Sequence, residues 1–225
     1  MNIKNVLIAF ENDYASIFKN EYISIHEVKQ KLGIYGQYYK VCKNKERLKD
    51  ILRGSDIDRS SIEKFVKRIE EIPSKIEEHN EKYLEQELIN QKDYFDNILK
   101  EIDPNIMLDE EQRRAVLTEE KHCLLIAGAG AGKTTTMAAK VRYLVERKNI
   151  RPEEIIVISY TNKAINELKD RINKKLDIPA KISTFHAFGY EIIKQFHDHT
   201  PEVNFSSYKI ILEMLEKTIF RDKQF

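Results

Sequence analysis

The sequence predicts an α/β fold: a parallel, doubly wound sheet with flanking helices, preceded by a mainly helical region. From residue 104 onward, apolar strand-like runs alternate with segments of helical periodicity. Residues 154–160 read E-I-I-V-I-S-Y, an almost wholly apolar run typical of a parallel strand covered on both faces. A glycine-rich loop directly follows another apolar run. Because ligands of such sheets bind at the carboxyl ends of the strands, the loops after these runs are expected to form one functional edge.

Composition limits the classes of protein that fit. The chain has 225 residues, enough for one large or two small domains, and 33% of them are charged. The net charge is only +1, so contact with nucleic acid would depend on local placement of charge. Cys42 and Cys123 lie far apart, which excludes a disulfide framework or zinc spacing, and Cys123 is predicted to be buried in an apolar strand. The apolar stretch 6–10 is too short for a signal peptide or membrane span, so the cytoplasm is the expected compartment, with no membrane partner.

Residues 1–58 are interpreted as an N-terminal accessory region that carries no nameable motif. Residues 2–10 fit either a strand or a short helix. Tyr35, Tyr38 and Tyr39 cluster near glycines. Such a cluster stacks on bases in some proteins, but a small core or a docking surface is the commoner role and is favoured here.

Residues 59–103 are predicted to form a helical arm or coiled coil. Apolar residues recur three, four or seven positions apart, and Pro73 is expected to kink or divide the pattern. Acidic and basic residues are mixed along the segment, which indicates a solvated face and not a phosphate-binding stripe. Two interpretations remain: an arm that touches a partner, or helices packed on the next domain, and the second is favoured.

Residues 104–225 carry the alternating pattern. The predicted strands are 122–126, 154–160 and 181–184, and the predicted helices are 134–148, 162–176, 185–196 and 203–225.

The loop after the first of these strands reads A-G-A-G-A-G-K-T-T-T over residues 127–136. Glycines let successive backbone N–H groups turn toward one anion, and a following helix N-terminus favours negative charge. Lys133 would reach the β- and γ-phosphates, and the Thr134 hydroxyl would hold Mg²⁺. The general pattern G-x-x-x-x-G-K-[ST] has glycine where this chain has Ala127. The predicted triphosphate-binding set is Ala127, Gly128, Ala129, Gly130, Ala131, Gly132, Lys133, Thr134 and Thr135.

Three further segments narrow the function. Gln112, in L-D-E-E-Q-R-R-A-V, carries an amide that can pair with adenine N6 and N7, or it is an ordinary helix residue. The segment Y-T-N-K-A from Tyr160 offers an aromatic ring, a hydroxyl and an amide at a helix start, although helix capping is the commoner role of residues such as Thr161 and Asn162. The segment T-F-H-A-F from Thr184 offers the same chemistry, although a histidine such as His186 is more often structural.

In their order along the chain, these motifs resemble the N-terminal motor lobe of superfamily 1A DNA helicases of the UvrD/Rep type. The resemblance covers residues 104–197, and alanine at position 127 is usual in that family. The segment H-N-E-K-Y at 79–83 is most similar to DNA helicase IV-like proteins and extends the resemblance back to about residue 75. The resemblance implies a P-loop NTPase (RecA-like) sheet, ATP and Mg²⁺ as cofactors, and a first motor lobe that ends in the start of a helical insertion.

Carried over by position, the resemblance implies roles for individual residues. Gln112 would read adenine, Lys133 would stabilise the transferred charge and Thr134 would ligate Mg²⁺. Thr135 stands where many relatives have an arginine near the nucleotide. The implied contacts with single-stranded DNA are Tyr160, Thr161, Asn162, Thr184, Phe185 and His186, with Tyr160 near a base.

Hydrolysis of ATP needs an Asp-Glu pair at a strand end, and no apolar strand ending in that pair follows the loop. The expectation is therefore the N-terminal portion of a longer 3′-to-5′ DNA helicase, which alone binds ATP weakly and neither hydrolyses it nor unwinds DNA. A second hypothesis is an ATP-driven remodeller of a protein complex, with the helical arm contacting RNA polymerase or repair proteins. A third is a small-molecule kinase, in which Gln112 and the loops at Thr161 and Thr184 would have no reason to occur.

Overall fold

The computed structural model describes residues 3–53, 57–128, 130–196, 208–209 and 211–212. The first half of the chain is helical. Its helices are α1 (Ile3–Ala15), α2 (Ile25–Leu32), α3 (Gly36–Lys43), α4 (Lys45–Arg53), α5 (Arg59–Asn90) and α6 (Lys92–Asn97). A 3-10 turn over Gly33–Tyr35 joins α2 to α3.

The second half combines helices with a small sheet. Its elements are α7 (Glu110–Leu117), α8 (Lys133–Lys148), β1 (Ile156–Ser159), α9 (Asn162–Leu168), β2 (Lys181–Thr184) and α10 (Phe185–Gln195). A π-helix over Lys169–Lys175 continues α9 without a break, so the predicted helix 162–176 is present in two forms.

The N-terminal region is built around aromatic packing. Residues 2–10 fitted either a strand or a helix, and the structure has a helix there, which buries Val6 and Phe10. The ring of Phe10 meets the rings of Tyr35 and Phe65 edge-on, at centroid distances of 5.2 and 4.7 Å. Tyr35 is buried and its hydroxyl donates to Asp13 Oδ2 at 2.6 Å. Tyr35 is therefore a core residue, and Tyr38 and Tyr39 pack against the same core.

Helix α5 joins two hydrophobic cores. Its 32 residues continue through Pro73, so the proline does not divide the helix. Near its start, this helix contributes to the N-terminal core with Ile62, Phe65, Ile72 and Ile76. Further along, it contributes to the core of the second half with Leu84. Between the two cores lies the buried Asn80, whose amide both accepts from Ile23 N and donates to Ile23 O at 2.9 Å. The segment predicted as an arm or as packed helices is thus packed at both of its ends.

The sheet consists of β1 and β2, which are parallel. Their register pairs Ile156 with Lys181 and Ser159 with Thr184. Helix α9 and the π-helix connect the two strands, and their residues Ile165, Leu168 and Ile172 are buried in the second core. The described part of the fold is therefore mostly helical, with one parallel β-α-β unit in place of a wide sheet.

The predicted strand at 122–126 is not present, and this prediction was wrong. Leu124 and Ile126 are 84% and 87% exposed, and Cys123, which was predicted to be buried, is exposed as well. A strand is stabilised by its neighbours in the ladder. The strands β1 and β2 pair with each other, so the apolar run before the loop has no ladder partner among the described residues. The run forms neither strand nor helix and leads into the loop.

No helix in the described ranges is both long and apolar enough to cross a membrane. The helix predicted at 203–225 falls outside the described residues, except for 208–209 and 211–212, which are helical.

Candidate functional site

The glycine loop turns tightly into α8. Gly130 and Gly132 both have φ of 78°, in the left-handed region that residues with a Cβ rarely adopt. Gly132 is the N-cap of the 16-residue helix α8 and no side chain caps that end. The first N–H groups of an α-helix have no acceptor within the helix, and the helix dipole is positive there. This end of α8 therefore fits an anion. Ala129, which was predicted to line the site, lies outside the described residues.

Gly132 is also the point of closest approach between the loop and α7. A Cβ built on Gly132 would lie 2.5 Å from Gln112 Nε2 and 3.9 Å from the Cβ of Thr135. Real Cβ atoms are not found this close to another heavy atom, so a side chain at position 132 would make the flexible end of the Gln112 side chain shift. The glycine loop and the glutamine segment are therefore in close contact at Gly132.

Gln112 has a double structural role. It is the third residue of α7. Its Oε1 accepts a hydrogen bond from Asp109 N at 3.1 Å, and Asp109 Oδ1 accepts one from Gln112 N at 2.8 Å. These two reciprocal bonds form a capping box at the start of the helix. Its Nε2 donates to Ala131 O at 3.3 Å. An amide oxygen has two lone pairs and an amide NH₂ has two hydrogens. One acceptor and one donor position therefore remain on the side chain, and these are the two that adenine N6 and N7 require.

Lys133 reaches back across the loop. Its Nζ donates to Ala127 O at 2.8 Å and to Gly128 O at 2.5 Å. These bonds place its ammonium group inside the turn that the glycines form. Thr134 follows in the first turn of α8 and is half-buried.

These residues fit a magnesium-bound triphosphate: positive-φ glycines, an uncapped helix start, a lysine over the turn and a hydroxyl beside it. The Thr134 hydroxyl is the side-chain oxygen that would be available to Mg²⁺, an ion that typically keeps several waters and substrate phosphate oxygens in its shell. Among the described residues, no group of three or more His, Cys, Asp or Glu side chains could hold a metal ion.

A second group of candidate residues lies at the carboxyl end of the sheet. Ser159 and Thr184 are paired in register at the ends of β1 and β2. The next residues are Tyr160 and Phe185, whose side chains are 83% and 68% exposed. Neighbouring strands are about 4.8 Å apart. Two exposed aromatic residues thus follow paired strand ends, each at the start of a helix.

Both threonines in this region cap helices. Thr161 Oγ1 accepts from Ala164 N at 3.2 Å, and Thr184 Oγ1 accepts from Ala187 N at 3.1 Å. Capping was one interpretation of Thr161, and the structure confirms it. A capping hydroxyl keeps its own hydrogen, so each threonine can still donate to a phosphate oxygen. Asn162 and His186, one residue beyond Thr161 and two beyond Thr184, are exposed.

One contact joins the loop to the helix that begins at Asn162. Arg171, in the π-helix, donates from Nη1 to Thr135 Oγ1 at 2.9 Å and pairs through Nη2 with Glu167 Oε1 at 2.9 Å. No pattern in the sequence indicates a role for Arg171. Helical periodicity alone gives no signal for it, because the contact depends on how α9 and the π-helix pack against α8.

Together, a glycine loop that turns into an uncapped helix, a neighbouring glutamine and a parallel β-α-β unit are the features of a P-loop type of nucleotide-binding domain. Residues 108–224 match the family model described as the UvrD/REP helicase N-terminal domain. The chain belongs to this helicase family.

Curated relatives agree with the family model. The chain is 35% identical over 139 residues to DNA helicase IV of Escherichia coli (strain K12), which is 60% of this chain and 19% of that protein. It is 41% identical over 92 residues to ATP-dependent DNA helicase Rep of Buchnera aphidicola subsp. Acyrthosiphon pisum, 39% of this chain and 14% of that protein. It is 34% identical over 119 residues to ATP-dependent DNA helicase PcrA of Staphylococcus aureus (strain NCTC 8325 / PS 47), 51% of this chain and 16% of that protein. The chain therefore spans less than a fifth of the length of these relatives.

Proposed function

We propose that this chain is the ATP-binding N-terminal part of an ATP-dependent 3′-to-5′ DNA helicase, which couples ATP hydrolysis to translocation on single-stranded DNA. The polarity comes from the resemblance to the family. The observation that carries the DNA part of this proposal is the register of the sheet. It aligns Ser159 with Thr184, so that Tyr160 and Phe185 leave adjacent strand ends as exposed aromatic residues. Stacking on aromatic rings is how proteins hold single-stranded bases without reading their sequence.

The backbone of the DNA would lie against the starts of α9 and α10. The N-terminus of each of these two helices presents free N–H groups and the positive end of the helix dipole to a phosphodiester. Thr161 and Thr184 would donate their hydroxyl hydrogens, and Asn162 and His186 would add side-chain donors. Because net charge is close to zero, binding depends on these local donors and not on a general basic field.

ATP would be held by the loop and selected by Gln112. The first-turn N–H groups of α8 would bind phosphate oxygens, and Lys133 would leave the carbonyls of Ala127 and Gly128 for the β- and γ-phosphates. Bound Mg²⁺ neutralises charge that develops on the phosphates, and Thr134 would orient it. The remaining donor and acceptor on the Gln112 amide would pair with adenine and not with guanine, which carries an oxygen at position 6.

Nucleotide selection can be tested with fluorescent ATP and GTP analogues. We expect the chain to prefer ATP, and Gln112→Glu to remove most of this preference, because the carboxylate keeps an acceptor for the capping box but lacks the NH₂ donor. Gln86→Ala, an exposed glutamine on α5, is the matched control and should leave the preference unchanged. Equal ATP preference in Gln112→Glu would contradict the assignment of Gln112.

DNA binding can be tested with a labelled oligothymidylate at several salt concentrations. We expect Asn162→Ala and His186→Ala each to weaken binding several-fold, because each removes a donor to the phosphate backbone. Asn166→Ala, which removes the same amide one turn further along α9, should bind like the unmodified chain. A chain that binds ATP but not the oligonucleotide would favour the small-molecule kinase over the helicase. The remodelling hypothesis predicts instead that binding of a protein complex depends on residues 59–103.

A further inference from the structure

The contact between Arg171 and Thr135 lies between the two candidate sites. Thr135 directly follows Thr134 and sits beside Gly132, at the tightest point of the triphosphate loop. Arg171 is about one-quarter exposed and is held on its other side by Glu167. A guanidinium has a planar set of donors, so one side chain can hold a hydroxyl and a carboxylate in fixed directions. The loop is therefore linked to the π-helix by a directional hydrogen bond.

The helix that carries Arg171 starts at the other site. It begins at the Thr161 cap and continues from Asn162 as α9 into the π-helix. At 1.5 Å per residue, Asn162 and Arg171 are about 14 Å apart along this axis. We call the continuous helix formed by α9 and the π-helix the rod. It is anchored by residues that are buried in the second core, namely Ile165, Leu168, Ile172 and Leu176. No loop interrupts the helical path between Asn162 and Arg171.

The π-helical turn sits at the point of contact. Leu176 N donates to Arg171 O at 3.1 Å, the bond across five residues that defines a π-helix. Arg171 lies within this π-helix, and its guanidinium reaches Thr135 in the first turn of α8. Lys174, three residues further on, pairs instead with Asp170 at the surface and is 75% exposed.

We propose that Arg171 is a positioning residue that couples the occupancy of the DNA edge at Thr161 and Asn162 to the triphosphate loop through Thr135. This inference rests on the proposed function, because it requires both ligands. Oligonucleotide bound at the start of α9 shifts or stiffens the rod, and Arg171 then sets the first turn of α8 that presents Lys133 and Thr134. Thermodynamic reciprocity requires that nucleotide binding strengthens oligonucleotide binding by the same factor.

The test measures a coupling factor with the 225-residue chain. The dissociation constant of a fluorescent ATP analogue with Mg²⁺ is determined without and with saturating oligothymidylate, and the ratio is the coupling factor. We expect about fivefold or more for the unmodified chain, the lower end of typical allosteric coupling. Arg171→Ala should reduce the factor to about one, whereas Lys174→Ala, a cation on the same turn, should keep it. A purely structural role of Arg171 would lower the thermal midpoint without selectively removing the coupling.

Each outcome has a definite meaning. If the unmodified chain binds neither ligand, the proposed function fails. If it binds both without coupling, or if Arg171→Ala keeps the full factor, the role of Arg171 is overturned and the proposed function stands. If Arg171→Ala does not fold, Arg171→Lys replaces it, because an ammonium keeps the charge but cannot hold Thr135 and Glu167 with one planar fork. The full factor in Arg171→Lys would also overturn the proposal.

Discussion

The geometry of the candidate nucleotide site depends on a few individual residues, of which Gly132 is the clearest example. Its positive φ strains any residue with a Cβ, and a Cβ there would also displace the end of the Gln112 side chain. The left-handed conformation alone costs a residue with a Cβ about 1–2 kcal/mol. The second effect would push Gln112 away from the loop. The backbone conformation is therefore the main reason for glycine at this position, and the contact with Gln112 adds to it.

Gly132→Ala is expected to weaken binding of a fluorescent ATP analogue by about tenfold, because the free loop would relax from the left-handed conformation and regain it on binding at a cost of about 1.4 kcal/mol, a factor of ten. The measurement is a titration with Mg²⁺ present. Gly189→Ala is the control: no atom lies within 4 Å of a Cβ built there, and its backbone is helical. This control should bind nucleotide normally and be slightly more stable. Normal affinity in Gly132→Ala would show that the loop does not hold the triphosphate in this conformation.

Tyr35 gives a prediction at high pH. Burial, together with the hydrogen bond to Asp13 and its charge, raises the pKa of Tyr35 from 10.0 to about 12. Between these values the unfolded chain has lost the phenolic proton while the folded chain keeps it, so stability falls as pH rises from 10 to 12. Tyr35→Phe cannot ionise and is expected to make the pH dependence of the unfolding free energy less steep in this window. Tyr38→Phe, a half-buried tyrosine nearby, is the control, and an equal change in both variants would contradict the assignment.

At the scale of elements, α5 connects the two halves of the chain in spite of Pro73. A proline within a helix has no N–H to donate to the residue four positions earlier and crowds that carbonyl. Pro73→Ala is expected to raise the unfolding free energy by about 1–3 kcal/mol, measured by urea denaturation. Ser74→Ala, at the next and exposed position, should change it by less than about 0.5 kcal/mol. A loss of stability in Pro73→Ala would mean that the proline shapes the packing of α5 on the N-terminal core.

The elements that the sequence predicted correctly are those set by local chemistry. The start of α8 follows from the glycine loop, and α9 and α10 begin at the threonines that cap them. The apolar pattern located β1 and β2 within two residues at each end. The strand at 122–126 failed because pairing partners decide whether an apolar run becomes a strand, and a local pattern contains no information on them. The contacts of Arg171 with Thr135 and of Asn80 with Ile23 are equally invisible, since they join positions 36 and 57 residues apart.

At the scale of the whole molecule, several contacts among the described residues hold the helical N-terminal region against the second half. Helix α5 contributes to both cores, and Asn80 ties the loop before α2 to the middle of α5. Glu120, which shortly precedes the triphosphate loop, accepts from Ile25 N at 2.9 Å and from Ser24 Oγ at 3.3 Å at the start of α2. A shared helix and polar contacts on both sides of it predict that the two cores unfold as one cooperative unit.

The two cysteines allow this cooperativity to be measured. Cys42 is buried in the N-terminal core, where burial raises the pKa of its thiol, and Cys123 is exposed. In a Cys123→Ser background, a thiol reagent reports only on opening around Cys42. Leu117→Ala removes a fully buried side chain from the other core and should cost about 2 kcal/mol or more. In a single cooperative unit, this cost should accelerate labelling of Cys42 roughly thirtyfold at denaturant concentrations where global unfolding dominates. Leu124→Ala, the same substitution at an exposed site, should have no effect. An unchanged labelling rate in Leu117→Ala would show that the N-terminal core opens independently of the nucleotide-binding half, in spite of the helix that they share.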